Sequence, residues 1–108
     1  MRLHMEENES ISFGIIASSG TARSLAFEAL EKAKEGNFED AQDLINQSEQ
    51  ASLEAHNIQT ELLCNAAQGN PCNLDILLVH AQDHLMTSIL AKELIEQMIL
   101  LYKKLDEK

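Results

Sequence analysis

The stretch from Asn73 to Lys104, NLDILLVHAQDHLMTSILAKELIEQMILLYKK, decides the fold. It holds no Gly or Pro, so its spacing predicts one long helix over about residues 74–104, with Asn73 as its cap. Two apolar stripes compete along it. Leu77, Ala81, His84, Ser88, Ala91, Ile95, Met98 and Tyr102 form one. Ile76, Val79, Asp83, Met86, Leu90, Leu94 and Leu101 form the other. A helix that is apolar on two sides must be covered on two sides. One stripe can pack within the chain, and the other then calls for a second copy. At ~1.5 Å per residue such helices span about 40–48 Å, long and thin for a lone subunit. Self-association follows from the pattern, although the number of copies does not.

Upstream, two further helical segments precede short breaks. The first covers about residues 10–35, with Ile11, Ile15, Ala22, Leu25, Ala29 and Ala33 on one broad face. Ser18-Ser19-Gly20 weakens its middle, where the helix either kinks or admits a close neighbour. Gly36 suits the position after the helix end, and Asn37 the cap of the next, with Asp40 in its first turn. The second helix, about 38–68, carries Ala41, Leu44, Ser48, Ala51, Ala55, Ile58 and Leu62 at alternating steps of three and four, a coiled-coil-like seam. Gly69-Asn70-Pro71 ends it, because a proline disfavours helix at the residue before it.

The 108 residues make one domain, residues 1–108, and a chain this short gains from oligomerisation. Hydrophobic content is 44%, yet there is no Trp, one Tyr, three Phe and a single valine, Val79. An aliphatic and alanine-rich core suits closely packed helices better than a β-sandwich. The expected fold is all-α, an antiparallel three-helix bundle.

Net charge is −10, and residues 35–91 hold nine acids with no Lys or Arg. Such a surface repels nucleic-acid phosphates and anionic lipid, and it steers a basic protein partner toward itself. The segment from Met1 to Glu7 has no signal-like apolar run, and no stretch approaches the ~20 apolar residues of a membrane span. A soluble, cytoplasmic protein without membrane insertion is therefore expected, with Cys64 and Cys72 reduced.

Chemistry concentrates in His80-Ala81-Gln82-Asp83-His84. Asp83 and His84 lie at i+3 and i+4 from His80, so all three project toward one side of the helix. Ionisable groups in an apolar stretch are costly unless something uses them. His80 is the candidate nucleophile, since a neutral imidazole can accept a group covalently at its free nitrogen lone pair. Gln82 and His84 can offer hydrogen bonds to a phosphoryl group without a large fixed charge. No P-loop, GxGxxG or nucleophile elbow is present, so phosphate would have to arrive ready-made from another protein.

The run His80-Ala81-Gln82-Asp83-His84-Leu85-Met86-Thr87 resembles the signature of the lactose/cellobiose-type enzyme IIA of the bacterial sugar phosphotransferase system. Ser19-Gly20-Thr21-Ala22-Arg23-Ser24, Ala29-Leu30, Ala33-Lys34, Gly36-Asn37-Phe38, Glu54-Ala55-His56 and Gln59-Thr60 are similar to the same family. Together they cover about residues 13–104 in order. The resemblance implies a continuous first helix and a homotrimer, nine helices in all. It implies a phosphoryl group carried on His80 at Nε2, taken from the histidine-containing phosphocarrier protein and passed to a cysteine of enzyme IIB. It implies Mg²⁺, one ion per trimer, held on the threefold axis by the three copies of Asp83, where like charges would otherwise repel. The transported sugar would be a disaccharide of the cellobiose, chitobiose or lactose type.

Two other readings stand beside it. His80-x-x-Asp83-His84 is one methylene short of the HxxEH pattern of inverted zincins, which makes a zinc-dependent hydrolase the alternative. A non-catalytic helical adaptor is the other. His56 reads as structural, an interhelix hydrogen bond, and His4 as part of a frayed terminus.

Overall fold

The computed structural model describes the backbone of residues 2–71 and 73–107, and the side chains of residues 8–71 and 73–107. Three helices form an up-down-up bundle: α1 (Arg2–Lys34), α2 (Phe38–Ala67) and α3 (Ile76–Asp106). No strand occurs among the described residues. The bundle is a rod of 61 × 23 × 19 Å. Helix α1 packs along both partners, while α2 and α3 meet over a shorter stretch.

The helix ends follow local chemistry. Gly36 (φ 85°) closes α1: its N–H donates to Ala33 O at 3.0 Å and that of Asn37 to Lys32 O at 2.9 Å. Gly69 (φ 87°) closes α2 in the same way, its N–H reaching Ala66 O at 3.1 Å and that of Asn70 reaching Asn65 O at 2.8 Å. This paired bonding at a left-handed residue satisfies carbonyls that a bare helix end would orphan. Thus Gly69 stops α2, and Pro71 only follows. Asn37 occupies the cap position of α2 but makes no side-chain capping bond.

Two expectations are corrected here. Helix α1 begins at Arg2, not near Ser10. The segment up to Phe13 lacks Gly and Pro and holds three Glu, two Met and Leu3, strong helix formers. Asp75, not Asn73, caps α3, its carboxylate accepting from Leu78 N at 2.8 Å. A carboxylate also meets the positive end of the helix dipole, which an amide does not. The Asn73 carbonyl instead accepts from Asn8 Nδ2 at 2.9 Å, tying the α2–α3 connection to α1. The side chain of His4, and Cys72 altogether, lie outside the described residues, and Cys64 is a free, exposed thiol. Helix α1 is continuous through Gly20, where an added Cβ would meet nothing within 4 Å.

The buried seam is built of small residues at alternating steps of three and four. On α1 it comprises Ser12, Ile15, Ser19, Ala22, Ala26, Ala29 and Ala33, and on α2 Ala41, Ile45, Ser48, Ser52 and Ala55. Toward one end, Ala26, Ala29, Ala33, Ala41, Ile45, Ile95 and Ile99 form an apolar cluster. Toward the other, Ile15, Ala55, Ala81 and Leu85 form a second. A belt of serines lies between them. Ser48 Oγ donates to Ala22 O and Ser88 Oγ to Ser19 O, each at 2.6 Å, and Ser18 Oγ donates to Ala51 O. Such bonds fasten helices together where the side chains are too small to interlock.

Candidate functional site

On α3 the buried line is Leu78, Ala81, Leu85, Ser88, Ile95 and Ile99. It runs through the first sequence stripe but is turned toward α2. The second stripe points to solvent in the single chain. Ile76, Val79, Met86, Leu90, Leu94 and Leu101 are each more than half exposed, and Asp83 is exposed among them. Such a continuous apolar surface on one helix marks a site that another surface covers.

His80 and His84 are brought together. Their Nε2 atoms face each other at 3.2 Å, and the rings meet edge to face with centroids 4.6 Å apart and an interplanar angle of 87°. The i, i+4 spacing puts both imidazoles on the flank of α3 nearest α1. His80 is exposed, whereas His84 is half-buried. One ring donates its N–H and the other accepts, so one imidazole nitrogen fixes the orientation of the other.

Gln82 is not with them. At about 100° per residue it lies roughly 160° around the helix from His80, on the flank that meets α2. There its Oε1 accepts from Gln59 Nε2 at 2.6 Å, and the same amide touches Met86 Sδ at 3.3 Å. Within one chain Gln82 and His80 therefore stand apart, because a step of two residues sends side chains to opposite sides of a helix. Gln59 was not assigned a role from sequence, although Gln59-Thr60 belongs to the resemblance. Its signal was a polar amide half-buried on a helix face that should be apolar.

Asp83 turns toward the open stripe rather than toward either histidine. Among the described residues no cluster of three or more His, Cys, Asp or Glu side chains is arranged to hold a metal ion. This removes the ligand set that the zinc-hydrolase reading required. His56 is exposed and lies in the α2–α3 groove with Glu49, Ser52, Ile89, Lys92 and Glu93, so the buried interhelix bond expected for it is absent. Lys92 crosses that groove, pairing with Glu49 at 3.7 Å and Glu96 at 3.1 Å. No helix among the described residues is long and apolar enough to cross a membrane.

The bundle and its paired imidazoles define a small helical protein that presents an exposed histidine ring at its surface. Comparison with known proteins gives the class its family. The family model described as "PTS system, Lactose/Cellobiose specific IIA subunit" matches residues 10–103. The PTS system N,N'-diacetylchitobiose-specific EIIA component of Escherichia coli K12 is 49% identical over 100 residues, covering 93% of this chain and 86% of that one. The lactose-specific EIIA component of Streptococcus mutans is 41% identical over 102 residues, covering 94% and 98%. The crystal structure of the PTS cellobiose-specific enzyme IIA from Bacillus anthracis superposes with a TM-score of 0.88 at 46% identity, covering 94% and 93%. A solution structure of the Escherichia coli IIA(chitobiose)–HPr complex gives a TM-score of 0.79 at 46% identity, covering 92% and 96%. This chain belongs to the lactose/cellobiose-specific IIA family of the sugar phosphotransferase system, and it is a phosphotransferase component.

Proposed function

We propose that His80 carries the phosphoryl group, at Nε2, between the phosphocarrier protein HPr and enzyme IIB of one disaccharide uptake system. The observation that carries this reading is the exposed His80 ring whose Nε2 is faced by His84 Nε2 at 3.2 Å. In the first step the donor's N–P bond breaks as an N–P bond forms at His80 Nε2. In the second that bond breaks as a cysteine sulfur of enzyme IIB bonds phosphorus, and the thiol proton goes to solvent. His84, as an N–H donor, stabilises the charge on the phosphoryl oxygens. A relative solved in complex with HPr supports the donor. The acidic surface favours a basic donor through steering, and a transient contact suits a relay. The sugar belongs to the cellobiose, chitobiose or lactose class and touches only the membrane component. The compartment is the cytoplasm.

The assembly proposed is a homotrimer with the three α3 stripes around the axis. A rotation about an axis along α3 leaves the three copies parallel and brings three Asp83 carboxylates together. One carboxylate per chain is a poor ligand for a hard divalent ion, but three converging ones supply the oxygen donors that Mg²⁺ prefers. Asp83 makes no ion pair among the described residues, which fits that use. The ion would neutralise the carboxylates and hold the assembly near the histidines.

Intact mass after incubation with phosphoenolpyruvate, enzyme I and HPr tests the reading. Wild type should gain one acid-labile, alkali-stable phosphoryl group, and His80→Ala none. Labelling of His80→Ala, or failure of wild type with a competent donor system, would overturn it.

A further inference from the structure

We propose that His80 and His84 together chelate zinc, or another divalent metal that favours nitrogen ligands, and that the bound metal holds off the phosphoryl group. The metal site stands on the geometry of the pair, and its effect on transfer rests on the phosphocarrier reading.

The spacing of the two nitrogens carries the argument. Zinc bonds an imidazole nitrogen at about 2.0–2.1 Å, so two such nitrogens at a tetrahedral angle lie about 3.3 Å apart. His80 Nε2 and His84 Nε2 are 3.2 Å apart. An imidazole lone pair lies in the plane of its ring, so an ion held by two rings must lie in both planes. Planes inclined at 87° share a line on which it can sit, whereas stacked rings share none. One turn of α3 sets this spacing, so no second element has to move to form the site. His80 is exposed, and an ion can arrive from solvent with water completing its shell. Catalytic zinc sites hold three protein ligands and structural ones four. Two make a site that fills and empties with the free metal, and they do not make a hydrolase.

Charge and ligand type narrow the ion. Residues 35–91 hold no Lys or Arg, and a chain of net charge −10 concentrates divalent cations near its surface. Mg²⁺ takes oxygen ligands and leaves imidazoles alone, whereas zinc, nickel and copper accept them readily. The Mg²⁺ proposed for Asp83 and zinc at the histidine pair therefore do not compete.

The metal needs the lone pair of both Nε2 atoms. In the metal-free pair one of these atoms carries a hydrogen, which moves to Nδ1 of the same ring on binding, so no proton is gained or lost. Phosphorus needs the same lone pair on His80, and the two occupants exclude each other. The metal also takes the His84 nitrogen that would otherwise donate to the phosphoryl oxygens.

Calorimetric titration with zinc tests the site, in excess Mg²⁺ and with Cys64→Ser and Cys72→Ser removing thiols that would compete. The chain should bind one zinc per subunit, and adding Asp83→Leu should leave that binding unchanged. His80→Ala and His84→Ala should each weaken it at least about tenfold, since losing a ligand costs no less than losing a group that supports one. Circular dichroism should show every variant helical, and proton–nitrogen NMR of the zinc-bound chain should find the hydrogen of both rings on Nδ1. Zinc held as tightly by His84→Ala, or lost with Asp83→Leu, would overturn the inference. Uptake of phosphoryl groups from phosphorylated HPr should fall in proportion to the fraction of subunits holding zinc and return with a chelator. The residual rate of His84→Ala should ignore the same zinc, which separates an effect on this chain from one on HPr. Uptake undiminished at full occupancy would also overturn the inference. A chain that binds zinc at the pair yet never accepts a phosphoryl group would overturn the carrier reading instead and leave the metal site standing.

Discussion

The serine belt makes opposite demands at neighbouring residues. Ser48 Oγ is bonded to Ala22 O, whereas Ser12 Oγ and Ser19 Oγ are buried with no hydrogen-bond partner among the described residues. A buried hydroxyl without a partner costs about 1–3 kcal/mol, and alanine also favours helix more than serine does. Ser19→Ala should therefore raise stability toward urea. Ser48→Ala should fall about 1 kcal/mol below it, with both measured at one protein concentration. The reverse order would mean that Ser19 is satisfied by bound water. The sequence hid this belt, because a search for apolar periodicity passes over serines whose place in the core depends on their reaching a backbone carbonyl. The pairing of His80 with His84 and the parting of His80 from Gln82 both follow from spacing alone, whereas which flank meets α2, where Gln59 holds Gln82, is visible only in the fold.

At the scale of elements, glycine and aspartate set the helix boundaries. Gly36 has φ 85° and open space around its missing Cβ, so Gly36→Ala suffers from backbone conformation alone, and about 1 kcal/mol of stability should be lost. Asp75→Ala should cost about the same by removing the cap of α3. Urea midpoints of the two variants and of their combination check this. The changes lie far apart, so the losses should add. The three helices were legible because Gly36 and Gly69 punctuate long runs without breakers. The start of α1 was not, since the segment before Ser10 carries no apolar stripe, and helix propensity without a stripe is a weak signal. The seams of α2 and α3 were read about one position out of phase. Leu44, Ala51, Ile58 and Leu77 are half-buried flanks, while Ile45, Ser52, Leu78 and Leu85 take the interior. Where both edges of a stripe are apolar, hydrophobicity does not mark its centre.

For the molecule as a whole, the open stripe of α3 decides behaviour. In the proposed trimer Leu90→Glu would set a charge in each of three facing positions, and sedimentation equilibrium should show trimer for wild type and monomer for the variant. Asp83→Leu should keep the trimer, since it makes the stripe continuous, while Mg²⁺ no longer raises the melting temperature. A wild type whose melting is indifferent to Mg²⁺ would remove the axial ion from the proposal. The seam of alanines and serines has a further consequence. With mostly small side chains inside and many of its leucines outside, a solitary copy holds little of its apolar surface away from water. Its survival then depends on how soon it finds others. Dilution should lower the melting temperature and quicken digestion by proteases. In a cell that has just begun to make the subunit, the first chains would be the shortest-lived, and the pool would harden as it fills.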